Sequence, residues 1–120
     1  MPSPVVHIEI GSKDSDATAQ FYADVFGWNT AAAGPVHQVI SGHEGGPTAM
    51  LNALGHPPDN YVLIYIEVDD IDAALERVAT AGGSKFVGPI PLPDGRRFAW
   101  VSDTASNMIG LVTPAPPPKL

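Results

Sequence analysis

The stretch VVHIEIGSKDSDATAQFYADVFG, residues 5–27, has a counterpart in YVLIYIEVDDIDAALERVATAGG, residues 61–83. Each stretch combines a β-branched or apolar run, a short linker, a helical pattern of apolar residues and a terminal glycine. An offset of 56 positions lays His7 on Leu63. The sequence therefore predicts one module in two copies, with a site where the copies face each other and where equivalent positions carry different residues.

The residues around each helix extend this repeat to a β-α-β-β-β module. In the first copy, Ala17, Phe21 and Val25 recur every four residues and predict the buried face of a helix, which Tyr22 and Phe26 widen. One helix per module covers one sheet face, so the pattern indicates an α+β fold of two tandem βαβββ modules whose curved sheets surround a cleft. Besides the strands of the repeat and a weak candidate at 31–33, apolar runs predict strands at residues 36–41, 48–54, 85–87, 97–102 and 108–113.

The length of 120 residues allows one domain with a core of its own and is too short for two ordinary domains. We assign residues 1–113 to a single domain, with modules at about residues 5–54 and 61–113. Residues 114–120 are rich in proline, which cannot join a sheet ladder, and we interpret them as a tail.

The composition narrows the range of partners. The net charge is −7 with six Lys and Arg residues, which argues against nucleic acid and against an anionic membrane surface as partners. There are no cysteines, so disulfides, thiolate metal sites and a cysteine nucleophile are excluded. The longest apolar run is far shorter than a membrane span. These features predict a cytoplasmic protein whose partner is a small molecule.

Three motifs carry a resemblance to a known family. They are FYADVFGW at residues 21–28, VDDIDAA at 68–74 continuing to AGG at 81–83, and DTASNMIGL at 103–111. In this order and spacing they resemble the vicinal oxygen chelate superfamily, which includes glyoxalase I, bleomycin-resistance proteins and extradiol dioxygenases. The resemblance implies the two-module fold, a homodimer, and a divalent metal ion held by His and Glu side chains from strands of both modules.

The metal-ligand positions that the resemblance implies have largely lost their ligands. The first-strand ligand falls on His7, and its counterpart in the second module falls on Leu63. The last-strand glutamate falls on Gly110, and its first-module counterpart lies near Met50 to Asn52, where there is no carboxylate or imidazole. His7 is therefore the one remaining ligand position. A divalent ion held by protein alone usually needs three ligands, so we expect no metal cofactor.

Three residues are candidates for acid–base chemistry: His7, Glu9 and Glu67. Imidazole titrates near neutrality, so His7 could act as a general base, but a cleft histidine hydrogen-bonded to a neighbour is the favoured interpretation of this residue. A carboxylate that faces inward on a central strand costs desolvation unless it is paired, which makes Glu9 and Glu67 candidate acids or bases. The alternative for both is a strand end in contact with solvent, and for Glu67, which precedes Asp69 and Asp70, this alternative is slightly favoured.

Four further residues are candidates for ligand binding: Asn52, Tyr65, Phe98 and Trp100. Asn52 is polar within an apolar strand. Tyr65 shares the strand face of Glu67 and offers a hydroxyl to a ligand, but it fits a large core residue equally well. Phe98 and Trp100 alternate on one strand face and fit either the wall of an aromatic pocket or the packing of a core or dimer. His37 and His43 match no ligand position of the family, and we interpret both as surface or loop residues.

The favoured function is recognition of a small, partly hydrophobic molecule in a metal-free cleft, such as sequestration of a ligand. The first alternative is a lyase or isomerase that uses the carboxylates or the histidine. A second alternative is a metal-dependent enzyme with a rearranged metal site. A cleft filled by its own aromatic side chains would instead indicate a structural or interaction role.

Overall fold

The computed structural model describes residues 2–34, 36–40 and 45–116, so His43 and the last four residues of the predicted tail lie outside the described part. The two-module α+β fold is confirmed by the order of the elements. The first module contains β1 (Val5–Gly11), α1 (Ser15–Phe26), β2 (Asn29–Ala33), β3 (Val36–Ile40) and β4 (Thr48–Asn52). The second contains β5 (Tyr61–Glu67), α2 (Ile71–Thr80), β6 (Ser84–Pro91), β7 (Arg97–Ser102) and β8 (Met108–Val112).

The two helices begin in the same way because the same residue type caps each of them. The Asp14 carboxylate accepts a hydrogen bond of 3.1 Å from the backbone N–H of Ala17, and the Asp70 carboxylate accepts one of 3.0 Å from Ala73. Each cap satisfies a backbone donor that the first helical turn leaves without a partner. The ends differ: α1 stops at Gly27 with φ of 70°, whereas the C-cap of α2 is Ala81.

Residues 6–64 form one unit, in which the strand order is β2-β3-β4-β1-β5. β1 and β4 are parallel, and β3 is antiparallel to both β2 and β4. Helix α1 packs on one face of this sheet over a core of Ala19, Val39 and Leu51, with Ile10, Tyr22, Trp28 and Ala49 beside it. The odd-numbered residues of β1 lie on the opposite face, because side chains alternate along a strand.

The second unit contains the N-terminal residues up to Val5 together with the chain from Tyr65 onward. Its strand order is β5-β8-β7-β6, with β5 and β8 parallel and β7 antiparallel to both neighbours. Helix α2 covers one face over a core of Val68, Ile71, Ala74, Ala99, Val101 and Leu111. The assignment of residues 1–113 to a single domain stays a prediction.

Two expectations about the first unit were wrong. The apolar row of α1 is not its buried face: Phe21, Val25 and Phe26 are 55%, 55% and 60% exposed, because the helix turns Ala19 toward the sheet instead. His37 is not a surface residue but is 5% exposed. It pairs with Leu51 across the sheet, so it lies on the face that α1 covers. No helix in the described ranges is long and apolar enough to cross a membrane.

Candidate functional site

The strand registers define which residues share the sheet face that the helix leaves open. In the first module, β1 and β4 pair His7 with Thr48, Glu9 with Met50, and Gly11 with Asn52. In the second, β5 and β8 pair Tyr65 with Gly110 and Glu67 with Val112. The repeat makes Glu9 equivalent to Tyr65, and their strand partners Met50 and Gly110 are therefore equivalent too. The first-module counterpart of the family glutamate is thus Met50 rather than Asn52.

His7 is partly exposed on β1, and its ring is engaged by the neighbouring strand. Its Nδ1 lies 2.5 Å from the Oγ1 of Thr48, the residue that it faces in the β1/β4 register. This contact matches the favoured interpretation of His7 as a histidine that is hydrogen-bonded to a neighbour. It also fixes the orientation of the imidazole, so that Nε2 is the nitrogen on the far side of the ring from Thr48.

Glu9 is the most deeply buried acidic side chain among the described residues of the first module, with an exposure of 1%. Its carboxylate accepts a hydrogen bond from the hydroxyl of Tyr61, the first residue of β5. Burial of a carboxylate costs several kcal/mol unless hydrogen bonds replace the lost water, and the phenol supplies one of them. The alternative of a solvent-exposed strand end therefore does not hold for Glu9.

Tyr61 is a site residue that the sequence analysis missed. Its ring lies over Gly11, where a Cβ atom would overlap the ring carbons. A glycine inside a strand often marks such a close approach, and this signal was present in the sequence. It did not identify the partner, because Gly11 and Tyr61 are separated along the chain by nearly the whole first module.

The second module has a corresponding arrangement, centred on Gly110. The ring of Tyr65 lies against this glycine, and a Cβ atom at position 110 would overlap the ring. The hydroxyl of Tyr65 accepts a hydrogen bond of 2.8 Å from the indole N–H of Trp100. Tyr65 itself is 6% exposed. A tyrosine ring thus occupies the space beside the position where the resemblance implies a metal-binding glutamate.

Phe98 and Glu67 extend this face by one further row. Phe98 pairs with Val112 in β8, and Val112 pairs with Glu67 in β5, so all three side chains point to the same side. Phe98, Trp100 and Glu67 are each partly exposed. We call Tyr65, Phe98 and Trp100 the aromatic face of the second module. Asn52 ends β4 in the first module, where its backbone carbonyl accepts a hydrogen bond of 2.9 Å from Ser12.

The loop between β7 and β8 is closed by hydrogen bonds to the side chain of Asp103. The Asp103 carboxylate accepts hydrogen bonds from the backbone N–H groups of Ala105 and Asn107, at 2.8 and 2.9 Å, and from the side-chain amide of Asn107 at 3.0 Å. The Asn107 amide is the first of the contacts that lower the pKa of Asp103 below its usual 3.8. Ser106 sits between them with φ of 67°, a backbone conformation that favours glycine.

The residues at the implied metal-ligand positions do not fit a divalent ion. These positions hold the imidazole of His7, which is hydrogen-bonded to Thr48, the thioether of Met50, the alkyl side chain of Leu63, and Gly110, which has no side chain. Hard and borderline divalent ions prefer oxygen and nitrogen ligands, and only His7 offers one. Elsewhere within the described ranges there is no group of three or more His, Asp or Glu side chains that could hold an ion.

Comparison with protein families identifies a superfamily and several relatives. The model of the Glyoxalase/Bleomycin resistance protein/Dioxygenase superfamily matches residues 5–111. A glyoxylase-like domain-containing protein of Didymella fabae is 30% identical over 123 residues, covering 88% of this chain and 90% of that protein. "Putative glyoxylase CFP32" of Mycobacterium tuberculosis (strain CDC 1551 / Oshkosh) is 24% identical over 112 residues. The match covers 87% of this chain but 43% of CFP32, so the chain spans less than half of that relative.

Solved structures share the fold. The hypothetical protein BH1468 from Bacillus halodurans C-125 is similar with a TM-score of 0.71 and 14% identity, over 98% of this chain and 99% of that one. A variant of the Streptomyces coelicolor methylmalonyl-CoA epimerase, in complex with 2-nitronate-propionyl-CoA, is similar with a TM-score of 0.62 and 22% identity, over 97% of this chain and 100% of that one. At these identities the likeness concerns the fold and not the reaction.

Proposed function

The chain belongs to the glyoxalase/bleomycin resistance protein/dioxygenase superfamily, and from that premise we propose that it binds a small, partly hydrophobic molecule without a bound metal ion. The ligand rests against the aromatic face of the second module, and the role is sequestration or delivery of the ligand rather than turnover. The contribution of Asn52 to ligand binding and that of His7 to acid–base chemistry stay predictions.

The observation that carries this proposal is the contact between Tyr65 and Gly110. In a metal-dependent member of the family, the residue that corresponds to Gly110 is a glutamate, which contributes a carboxylate to the metal ion. Here the tyrosine ring lies against a glycine, and Trp100 donates a hydrogen bond to its hydroxyl. This exchange removes a charged group and leaves the buried ring of Tyr65 beside the partly exposed rings of Trp100 and Phe98. The exposed parts of these two rings favour apolar and aromatic molecules by area and by ring stacking.

Fluorescence of Trp100 tests the proposal. The chain has two tryptophans, and Trp28 packs beside α1 on the covered face of the first sheet, so Trp28→Phe leaves Trp100 as the sole reporter. We expect saturable quenching or enhancement on titration with uncharged aromatic compounds such as 2-naphthol. Elemental analysis of tag-free protein accompanies the titration. A stoichiometric divalent ion, or no saturable response to any aromatic compound, would overturn the proposal.

The buried Glu9–Tyr61 pair favours a second candidate, an isomerase or lyase that moves a proton. A carboxylate held by a phenol and shielded from water has the character of a general base or acid. Because one structural neighbour is a methylmalonyl-CoA epimerase, deuterium exchange at the α-carbon of methylmalonyl-CoA is the first assay. Exchange that is catalysed by the natural protein and lost in Glu9→Gln would support this candidate, and equal rates in both would exclude Glu9 as the base.

We also propose that the protein is a cytoplasmic homodimer, with the exposed row of α1 in the interface. Phe21, Val25 and Phe26 are each more than half exposed, although large apolar side chains gain most from burial. With about 200 Å² per aromatic side chain, this row supplies a few hundred Å² of the roughly 800 Å² per partner that a stable interface needs. Light scattering should give twice the chain mass for the natural protein and the chain mass for Phe21→Glu. A monomer at all concentrations would contradict the dimer.

A further inference from the structure

We infer that the ligand of the aromatic face is an organic cation, namely a protonated or quaternary amine that carries aromatic or apolar groups. This inference rests on the proposed binding function and names the chemical class that the face selects. Three observations support it: Glu67 lies beside the three rings, its carboxylate makes no hydrogen bond or ion pair with another described residue, and the nearby arginines are paired with other carboxylates.

Glu67 lies on the same side of the sheet as the aromatic face, one row away from its centre. Tyr65 and Trp100 flank Gly110 in one row, while Glu67 and Phe98 flank Val112 in the next. Side chains in neighbouring rows of one face are within reach of each other. A ligand seated on the rings therefore meets one carboxylate at the edge of its binding surface.

The carboxylate of Glu67 makes no hydrogen bond or ion pair with any other described residue, although the side chain is partly buried. Partial burial removes some water from a charge, and that cost is recovered only when a partner of opposite sign arrives. Glu9, by contrast, is compensated by Tyr61 within the chain. A cationic group of the ligand would supply the partner that the Glu67 carboxylate does not have among the described residues.

Two arginines beside this face, Arg96 and Arg97, are each paired with a carboxylate. Arg97 precedes Phe98 in β7 and so points to the opposite side, where its guanidinium lies 3.1 Å from the carboxylate of Asp72 on α2. Arg96 is paired with Asp94 at 2.7 Å. With both arginines engaged and a net charge of −7, the field at the face repels anionic ligands and attracts cations.

Aromatic rings strengthen this preference. A cation over the face of Trp, Tyr or Phe is attracted by the ring quadrupole, most strongly by Trp. Trp100 also donates its indole N–H to the Tyr65 hydroxyl, which holds both rings in place. The combination of held rings and one carboxylate differs from a purely apolar wall, because it distinguishes an ammonium group from an uncharged group of the same shape.

A matched pair of probes tests the inference in the Trp28→Phe background. The probes are benzyltrimethylammonium and neopentylbenzene, which have nearly the same shape and differ by one positive charge. We expect the cation to bind about tenfold more tightly at low salt, by Trp100 fluorescence, and the difference to shrink as salt rises. Equal affinities, or tighter binding of the uncharged probe, would overturn the inference while leaving the binding proposal intact. If neither probe binds but 2-naphthol does, the inference fails alone, and if none of the three compounds binds, the proposed function fails as well.

Two substitutions locate the charge that acts. Glu67→Gln keeps the shape of the side chain, and we expect it to weaken binding of the cation about three- to tenfold and to leave neopentylbenzene unchanged. Asp69→Asn removes the same charge from an exposed residue just beyond β5 and serves as the control for net charge. Equal effects of the two substitutions would show that only the overall charge acts, and the assignment to Glu67 would be wrong.

Discussion

Placing a methyl group on Gly110 should test the packing on which the proposed function depends. The ring of Tyr65 lies against this glycine, and an added Cβ atom would overlap two ring carbons and come within 2.9 Å of a third. Carbon atoms that are not bonded prefer separations of about 3.5–4.0 Å. Gly110→Ala therefore forces the ring outward by roughly 1 Å, because the glycine backbone is fixed between β5 and β7.

The magnitude follows from two costs. Overpacking by one methyl group in a well-packed region costs about 1 kcal/mol or more. The outward shift also lengthens the 2.8 Å hydrogen bond from Trp100 to the Tyr65 hydroxyl, whose net contribution is about 1 kcal/mol. We therefore expect Gly110→Ala to lower the free energy of unfolding by about 2 kcal/mol, which corresponds to a melting temperature lower by about 6–10 °C.

Urea unfolding of four proteins measures this effect: the natural chain, Gly110→Ala, Tyr65→Leu and the double variant. In the Tyr65→Leu background the ring is gone, and the added methyl group should be neutral or stabilise slightly, since glycine weakens a strand by about 0.5–1 kcal/mol relative to alanine. The reasoning is refuted if Gly110→Ala unfolds at the same urea concentration as the natural chain. It is also refuted if the loss is the same in both backgrounds.

The other predictions concern the β7–β8 loop and the Glu9 pair. Ser106→Gly should raise the free energy of unfolding by about 0.5–1 kcal/mol, because relief of left-handed strain exceeds the entropy cost of glycine, and a lower melting temperature would contradict it. The hydrogen bonds of the loop, of which that from the Asn107 side-chain amide contributes most, lower the pKa of Asp103 from 3.8. Ionised Asp103 therefore stabilises the fold fully above about pH 3.8, and this stabilisation is lost as the pH falls through the lowered pKa. The stability difference between the natural chain and Asp103→Asn should hence be present at about pH 7 and shrink in acid, and a pH-independent difference would rule out this linkage. Tyr61→Phe should cost about 1–3 kcal/mol in urea unfolding, because the buried carboxylate of Glu9 loses the hydrogen bond that the Tyr61 hydroxyl donates. An unchanged urea midpoint would contradict this prediction.

The repeat in the sequence was sufficient to predict the two-module fold. Strands β1 and β5, the first residues of the two helices, and the capping residues Asp14 and Asp70 all recur at the same offset in the structure as in the sequence. Caps and strands can be predicted from the sequence because each depends mainly on residues within a few positions of each other. The apolar row of α1 shows where local patterns fail. The spacing of Phe21 and Val25 places them on one side of the helix, but it could not determine which side of the helix meets the sheet.

The sequence predicted only part of the candidate site. The choice of Glu9, Tyr65 and Trp100 as candidates came from their residue types in strands. The sequence left open which hydrogen bonds these residues make, and it did not single out Tyr61. Each of these contacts joins residues at least 35 positions apart. Their geometry depends on strand register, and local propensity does not fix register.

By itself, the sequence determined that this protein is an α+β chain of two βαβββ modules and that three of the four implied metal-ligand positions carry no ligand. The tertiary structure alone decided what lies beside two of those positions. The ring of Tyr65 lies against Gly110, and Glu9, the strand partner of Met50, accepts a hydrogen bond from the hydroxyl of Tyr61. The physical reason is that ligand loss is a property of single residues, which the sequence states directly. What replaces a ligand depends on which strands pair and which side chains they bring to one face.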